Sequence, residues 1–279
     1  MNLQQKKKSA RPVMASLLLA VVCLFFITGC DKDDKTNHPA SKTFVLVHGA
    51  FQGPYAWQFV KSQLEAAGQN VVVVELPGHG NDQTPPATIS IKSYRDKVVS
   101  AITALNGQVV LVGHSLGGAI ITAVADTIPN RIERLVYLAG FVPGNNQSIL
   151  ELTSMDPNSE FGPALIPSAD GASVSIPDEK IFPIFCLDGS EAIKQLLIDN
   201  NRPEPITPQS DKILLSNPAF ATVPKYYIYT TQDRAITIDL QRKMVETAGI
   251  ENVYELAASH CPHLSIPDRV TATLLQIIQ

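Results

Sequence analysis

Apolar and polar positions along the chain follow two alternating patterns. Short, nearly continuous apolar runs are typical of buried strands, and they predict strands over residues 43–47, 70–75, 108–112, 131–138, 225–230 and 252–256. Stretches with apolar residues at helical spacing separate these runs and predict helices over residues 56–67, 91–105, 119–125, 190–199, 238–248 and 267–278. Apolar strands that alternate with helices indicate an α/β fold, with a mostly parallel sheet of about six strands and helices on both faces.

The alternation fails between about residues 143 and 218, where the chain is rich in Pro, Ser, Asn and Asp. This segment comes after the fourth predicted strand–helix unit and is inserted between two strands. It therefore leaves the sheet at the carboxyl ends of the strands, which is the edge where open α/β sheets bind ligands. We expect residues 143–218 to form a cap over a ligand site.

The N-terminal segment differs in character from the rest of the chain. Four basic residues precede an apolar run over residues 13–27, which is the pattern of an export signal. The run is short for a membrane span, so we favour a cleaved signal over an anchor helix. Residues 27–30, Ile-Thr-Gly-Cys, resemble the lipobox of bacterial lipoproteins. The resemblance implies a signal peptide over residues 1–29, lipid on Cys30, a tether over residues 30–42 and attachment to the periplasmic or surface face of a bacterial membrane.

Charge and cysteine content narrow the range of partners. Loss of the signal would remove four of the 22 Lys and Arg and none of the 26 Asp and Glu, changing the formal net charge from −4 to −8. Such a chain has no basic patch for nucleic acid. Residues 43–279 are enough for one domain with a sizeable core. Of the remaining cysteines, Cys186 and Cys261 either pair with each other or stay free.

A serine between two glycines follows the third predicted strand, in a G-x-S-x-G motif over residues 113–117. A strand, a sharp turn and a helix would place Ser115 at the tip of a strained turn, with its hydroxyl above the sheet edge. A Cβ atom at Gly113 or Gly117 would collide with the neighbouring strand or helix. The N–H of Leu116, at the start of the helix, would be unpaired and would point at whatever Ser115 attacks.

A serine hydroxyl needs a base to become a nucleophile near neutral pH, and the base needs a carboxylate to orient it. With this type of turn, the chain order is serine, then acid, then histidine. Asp233 follows the fifth predicted strand, and His260 and His263 follow the sixth. All three lie after the carboxyl end of a strand, on the same edge as Ser115. Asp233 has an alternative role as a helix N-cap, and His263 competes with His260 for the role of base.

Several motifs carry a resemblance to a known family. They are residues 48–50 (His-Gly-Ala) with Trp57 nearby, residues 113–118, residues 231–233 (Thr-Gln-Asp), and His260 seven positions before Pro267. On these residues, the chain resembles the plant methylesterase and hydroxynitrile lyase group of α/β-hydrolases, together with bacterial esterase relatives. The resemblance extends from about residue 43 to residue 278 and implies the α/β-hydrolase fold. The spacing to Pro267 favours His260 over His263.

The resemblance also implies a role for each matching residue. Ser115 would be the nucleophile, His260 the general base and Asp233 the carboxylate that orients it. The main-chain N–H groups of Ala50 and Leu116 would form the oxyanion hole, where the loss of one donor typically costs about 10²–10³ in rate. No metal or organic cofactor is implied.

Four side chains near these motifs are candidates for a substrate pocket: His48, Phe51, His114 and Phe141. We expect His48 mainly to fix its loop, and His114 to border the pocket without transferring protons. Pockets of this kind are mostly apolar with few polar groups. That character suits small esters with an apolar or aromatic acyl group.

Three functions are compatible with this reading. The first is hydrolysis of small carboxylic esters through an acyl-enzyme. The second is the lyase chemistry of the resembled family, in which a threonine at the position of Gly49 and a lysine at the position of Cys261 handle the cyanohydrin. Gly49 and Cys261 cannot do that work, so lyase activity is disfavoured. The third is a non-catalytic binding protein, against which the intact set of Ser115, Asp233 and His260 argues.

Overall fold

The computed structural model describes residues 41–279. The predicted signal peptide over residues 1–29, the lipidation site Cys30 and most of the tether over residues 30–42 lie outside the described residues, so they stay predictions. Within residues 41–279, the structure contains no helix that is both long enough and apolar enough to cross a bilayer.

Within residues 41–279, nine strands form two sheets. They are β1 (Thr43–Val47), β2 (Asn70–Val74), β3 (Val109–His114), β4 (Ile132–Leu138), β5 (Ile166–Pro167), β6 (Ser173–Ser175), β7 (Glu204–Pro205), β8 (Lys225–Thr230) and β9 (Asn252–Leu256). The larger sheet has the order β2-β1-β3-β4-β8-β9, and each neighbouring pair is parallel. Its six strands are the six that the apolar runs predict, and the α/β-hydrolase fold is confirmed.

The described part of the chain also contains ten α-helices. They are α1 (Gln58–Ala66), α2 (Ile91–Thr103), α3 (Leu116–Thr127), α4 (Ile149–Thr153), α5 (Asp178–Phe185), α6 (Glu191–Asp199), α7 (Thr207–Ser210), α8 (Ile238–Ala248), α9 (Pro262–Ser265) and α10 (Pro267–Ile277). Side chains alternate between the two faces of a strand. Val45 and Val47 of β1 pack with α2, α3 and α8 on one face, whereas Phe44 and Leu46 pack with α1 and α10 on the other. Burial on both faces explains why the strands are continuous apolar runs.

The segment between β4 and β8 contains more regular structure than its composition predicts. It holds α4 to α7 and the small antiparallel sheet β5-β6-β7, whereas the sequence pattern predicts one helix over residues 190–199. The strands of this sheet have two or three residues, too few to show a period of two. Helix α5 contains Pro183, and an internal proline normally argues against a helix.

Candidate active site

The turn between β3 and α3 has the predicted strained geometry. Ser115 adopts φ 54° and ψ −121°, in the left-handed half of backbone space that a residue with a side chain rarely occupies. Its carbonyl oxygen accepts hydrogen bonds from the N–H groups of Gly118 and Phe141, at 2.9 and 3.0 Å. A Cβ atom on Gly113 would lie 2.4 Å from the carbonyl oxygen of Gly117, and one on Gly117 would lie 2.7 Å from the main chain of β1. The turn therefore requires glycine at both positions.

His260 and Asp233 form a buried hydrogen-bonded pair. Nδ1 of His260 lies 2.7 Å from Oδ2 of Asp233, and both side chains are almost completely inaccessible. Oδ1 of Asp233 accepts hydrogen bonds from the N–H groups of Ala235 and Ile236, and Oδ2 also accepts from Thr230. Because an ionised carboxylate only accepts hydrogen bonds, Nδ1 of His260 carries the proton and Nε2 is free to accept one.

The loop that carries His260 is attached to the serine turn by His114. Nε2 of His114 donates a hydrogen bond to the carbonyl oxygen of His260 at 2.8 Å, and the two rings are 4.6 Å apart. The hydroxyl of Ser115 makes no hydrogen bond to another residue of the described range 41–279. Such contacts are often long in ligand-free enzymes and shorten when substrate binds.

His263, the competing candidate for the base, occupies a different place. Its ring packs 4.7 Å from the ring of Trp57 and 4.3 Å from that of His114, and neither ring nitrogen has a hydrogen-bond partner among the described residues. The histidine that contacts Asp233 is His260. Asp233 is also separate from the N-cap of α8, which is Thr237.

Ala50 and Leu116, whose main-chain N–H groups are predicted to form the oxyanion hole, line the same small pocket as Ser115. Neither the N–H of Ala50 nor that of Leu116 makes a hydrogen bond within the described part of the chain. The pocket has a volume of about 10 Å³, close to the space that one water molecule needs. Its lining consists of Ala50, Ser115, Leu116, Phe141, Phe161, Phe185, Gln209, Ala235 and Ile236.

A larger apolar cavity adjoins this pocket within the cap. Its volume is about 420 Å³, which is in the range of ligand sites. Phe161 and Gln209 line both spaces. The cavity is lined by Leu150, Thr153, Phe161, Gly162, Leu165, Val174, Glu204, Ile206, Gln209 and Ser210. The cap therefore provides room for a group much larger than the serine pocket alone can hold.

The four side chains predicted for the pocket have different positions. Phe141 lies in the lining. Phe51 lies behind it, with its ring 6.0 Å from that of Phe161 and 6.2 Å from that of Phe185. The cap residues Phe161, Phe185 and Gln209 were not predicted, because nothing in the sequence of residues 143–218 indicates which side chains point toward the sheet.

His48 and His114 are buried structural residues and do not line the pocket. Nδ1 of His48 donates to the carbonyl oxygen of Gly49 at 2.9 Å, and Nε2 accepts from the N–H of Leu76 at 3.4 Å. Burial lowers the pKa of His48 to about 3 and that of His114 well below its ordinary value. Both rings are therefore neutral near pH 7.

Among residues 41–279, one group brings three metal-binding side chains together: His114, Cys261 and His263, whose ligand atoms lie within 4.8 Å of one another. A Cβ atom built on Gly49 would lie 2.9 Å from Nδ1 of His114, so main chain already packs against that nitrogen. The amide of Gln52 donates to the thiol of Cys261 at 3.1 Å. Burial raises the pKa of Cys261 and disfavours the thiolate that metals bind. We assign no metal to this group.

The choice that the sequence left open for the two cysteines is decided by the structure. They do not pair with each other, and among residues 41–279 both Cys186 and Cys261 are free, buried thiols. Burial raises the pKa of Cys186 to about 12, so this thiol is protonated and unreactive at neutral pH.

Comparison with known proteins places this geometry in a family. The chain is similar to methylesterase 7 of Arabidopsis thaliana, with 29% identity over 266 residues, covering 88% of this chain and 98% of the relative. It is similar to an alpha-hydroxynitrile lyase of the same plant, with 27% identity, covering 84% of this chain and 96% of the lyase. The crystal structure of an Arabidopsis methylesterase superposes with a TM-score of 0.74 at 25% identity, covering 85% of this chain and 98% of that one. The sequence model of the alpha/beta hydrolase family matches residues 44–273, and the chain belongs to that family.

Proposed function

We propose that the chain is a serine hydrolase that cleaves small carboxylic esters through an acyl-enzyme. One observation carries the proposal: Ser115 shares a pocket with Ala50 and Leu116, whose N–H groups make no hydrogen bond among residues 41–279. The hydrogen-bonded pair of His260 and Asp233 on the same edge of the sheet supports it. The similarity to methylesterases supports the same reaction class.

The proposed reaction has two halves. Nε2 of His260 takes the proton of the Ser115 hydroxyl as the oxygen attacks the ester carbonyl, and the tetrahedral oxyanion accepts hydrogen bonds from Ala50 and Leu116. His260 then gives its proton to the departing alkoxide, which leaves as an alcohol. In the second half, His260 takes a proton from water as the water oxygen attacks the acyl carbonyl. The tetrahedral intermediate then collapses, and His260 returns the proton to the oxygen of Ser115 as the acid leaves.

The two cavities suggest where each part of an ester substrate would lie. The pocket at Ser115, at about 10 Å³, has room for little more than the carbonyl oxygen of the reacting ester. The cap cavity, at about 420 Å³, fits a larger apolar group. The similarity to methylesterases agrees with a small alcohol on the reacting side.

The direct test is covalent labelling combined with hydrolysis. A fluorophosphonate should label the wild-type protein on Ser115, and p-nitrophenyl acetate should be hydrolysed. Ser115→Ala should lose both properties, with a fall in rate of several orders of magnitude, whereas Ser100→Ala, an exposed serine on α2, should lose neither. Equal rates for wild type and Ser115→Ala would refute the mechanism. Absence of labelling would favour the binding-protein hypothesis.

Cyanohydrin cleavage remains disfavoured for a steric reason. A Cβ atom at Gly49 would lie 2.9 Å from both Nδ1 of His114 and Cβ of Ser115, so the site has no room for the threonine of the lyases. Cys261, at the position of their lysine, is completely buried. We expect no release of cyanide from mandelonitrile under conditions in which p-nitrophenyl acetate is hydrolysed.

We also propose export and lipid attachment at Cys30, on the strength of the N-terminal sequence pattern. The full-length protein expressed in a bacterium should partition with membranes. Cys30→Ala should not be lipidated and should leave the membrane fraction, whereas Cys23→Ala, a matched change within the apolar run, should behave as wild type. Full membrane partitioning of Cys30→Ala would replace the lipid anchor with an uncleaved anchor helix.

A further inference from the structure

The cap contributes a buried carboxylate to the main domain. Glu204, the first residue of β7, has no exposed surface. Its Oε2 accepts a hydrogen bond from the N–H of Phe51 at 2.9 Å and lies 2.8 Å from Nε2 of His79. The hydroxyl of Tyr94 donates to Oε1 at 3.4 Å. The partners belong to the loop after β1, the loop after β2 and α2, so one cap side chain joins three parts of the main domain.

The hydrogen bond from the N–H of Phe51 to Glu204 also constrains the backbone of Ala50, the preceding residue. The N–H of Phe51 and the carbonyl of Ala50 belong to one rigid peptide plane. When this plane is held, the rotation about the Cα–C bond of Ala50 is fixed. The direction of the Ala50 N–H relative to the plane is thereby fixed as well. Phe51 has φ 61°, a left-handed conformation that persists only when the surroundings impose it.

The buried carboxylate of Glu204 lies beside two basic side chains, those of His79 and Arg202. Nδ1 of His79 lies 3.0 Å from the carbonyl oxygen of Pro77, so both ring nitrogens of His79 face acceptors, as in an imidazolium. Burial by itself would lower the pKa of His79, but the charge and hydrogen bond of Glu204 raise it above its ordinary value. Arg202 also lies close, bound to the carbonyl oxygens of Gly80 and Asp82. These partners hold the buried carboxylate in one orientation.

We propose that Glu204 is a positioning residue for ester hydrolysis: it fixes the peptide between Ala50 and Phe51 so that the N–H of Ala50 faces the oxyanion. The inference rests on the function proposed above. It assigns the cap a second task besides covering the substrate, because a side chain of the cap completes the oxyanion hole. The sequence pattern contains no sign of this task, since Glu204 is 153 residues from Phe51 along the chain.

The test compares variants that remove or keep the acceptor. Glu204→Ala leaves the N–H of Phe51 without its partner, and we expect kcat for p-nitrophenyl acetate to fall about 10- to 100-fold, a part of the 10²–10³ that loss of a whole donor costs. KM should change less than about threefold, because the oxyanion exists only in the transition state. Glu204→Gln keeps an oxygen that accepts from Phe51 and should restore kcat to within about tenfold of wild type.

A second readout reports on the oxyanion hole itself. An aryl trifluoromethyl ketone adds to the serine and places its oxyanion against the two main-chain donors. Its inhibition constant should weaken in Glu204→Ala by about the same factor as kcat falls. Asp126→Asn is the matched control, because Asp126 is a buried carboxylate that accepts from the N–H groups of Ser216 and Asn217. This control should lose stability while keeping kcat and the inhibition constant.

The outcomes separate this proposal from the function on which it rests. If wild type and Ser115→Ala hydrolyse the ester equally, the proposed function fails. If hydrolysis depends on Ser115 but folded Glu204→Ala keeps wild-type kcat, or loses no more than Asp126→Asn, the role of Glu204 is refuted. Should Glu204→Ala not fold, Glu204→Asp withdraws the carboxylate from Phe51 by one methylene while keeping the charge. Wild-type kcat in that variant would refute the proposal equally.

Discussion

At the scale of single residues, several hydrogen bonds hold the carboxylate of Asp233 in place. Besides His260, it accepts hydrogen bonds from two main-chain N–H groups and from the side chains of Thr230 and Gln241. Buried carboxylates with this many donors keep a single orientation. The position of the His260 ring is therefore set by a rigid partner, which is what proton transfer at a fixed serine requires.

Asp233→Asn should separate orientation from folding. The amide oxygen can still accept from Ala235 and Ile236, but an NH₂ group at the place of Oδ2 cannot accept the proton of Nδ1 of His260. We expect kcat/KM for p-nitrophenyl acetate to fall by roughly 10²–10⁴, with the circular dichroism spectrum unchanged. Activity near the wild-type level in the folded variant would contradict the role of Asp233.

A substitution of Gly117 tests the steric requirement for glycine in the turn that carries Ser115. Gly117→Ala would bring a Cβ atom to 2.7 Å from the carbonyl oxygen of Val47 and 2.9 Å from that of His48. Main-chain atoms cannot give way cheaply, so we expect a loss of about 1–3 kcal/mol in the free energy of unfolding, measured by urea denaturation. Gly162→Ala is the control, because nothing lies within 4 Å of its Cβ position. Equal stabilities of the two variants would contradict the steric argument.

At the scale of elements, the site is a junction between the sheet and the cap. The carboxyl ends of β3, β8 and β9 lead to Ser115, Asp233 and His260, whereas the opposite wall of the serine pocket comes from the segment between β4 and β8. The sheet determines the chemistry, since parallel strands bring their ends to one edge. The cap determines the shape of the space in which a substrate fits.

Phe161 should control passage between the two cavities, because its side chain lines both. Phe161→Ala should join them and raise the ratio of p-nitrophenyl octanoate to p-nitrophenyl acetate hydrolysis, since each newly buried methylene contributes about 0.8 kcal/mol. We expect an increase of at least tenfold in the ratio of kcat/KM values. Leu187→Ala, at an exposed cap residue, should leave the ratio unchanged. An unchanged ratio in Phe161→Ala would place the acyl group elsewhere.

At the scale of the whole molecule, three buried histidines of residues 41–279 are neutral in the folded state. Burial lowers the pKa of His48 and His263 to about 3, and that of His114 well below its ordinary value. In the unfolded chain, each would titrate near about 6.5. Below that pH, the unfolded state binds protons that the folded state excludes, so the free energy of unfolding falls as the pH falls.

The expected slope is measurable. Each of the three histidines contributes at most about 1.4 kcal/mol per pH unit below about pH 6.5, while His79, whose pKa is raised, loses its stabilising effect only as the pH increases above that value. Urea denaturation between pH 5 and about pH 6.5 should therefore show a steep loss of stability toward acid. His263→Phe, which keeps a ring against Trp57, should reduce the slope by about a third. An unchanged slope would contradict a neutral His263.

Much of the sheet and of the reactive edge was predictable because it is local in sequence. An apolar run marks each of the six parallel strands, and a serine between glycines marks the turn, because the sharp bend itself excludes other residues at positions 113 and 117. Asp233 and His260 were predictable as candidates, since each directly follows a strand. Their pairing, and the place of His263 against Trp57, were not determined by position along the chain.

Only the tertiary structure decided the contacts between segments that are far apart in sequence. The cap strands are too short to show a period, and which cap side chains face Ser115 depends on how the whole segment packs on the sheet. Glu204 joins residues 110 to 153 positions away, and no spacing rule connects such partners. The sequence by itself determined the strands, the turn and the chemical groups offered at one edge, because these follow from local sterics and periodicity. The folded chain decided which groups meet, because their meeting depends on packing between distant segments.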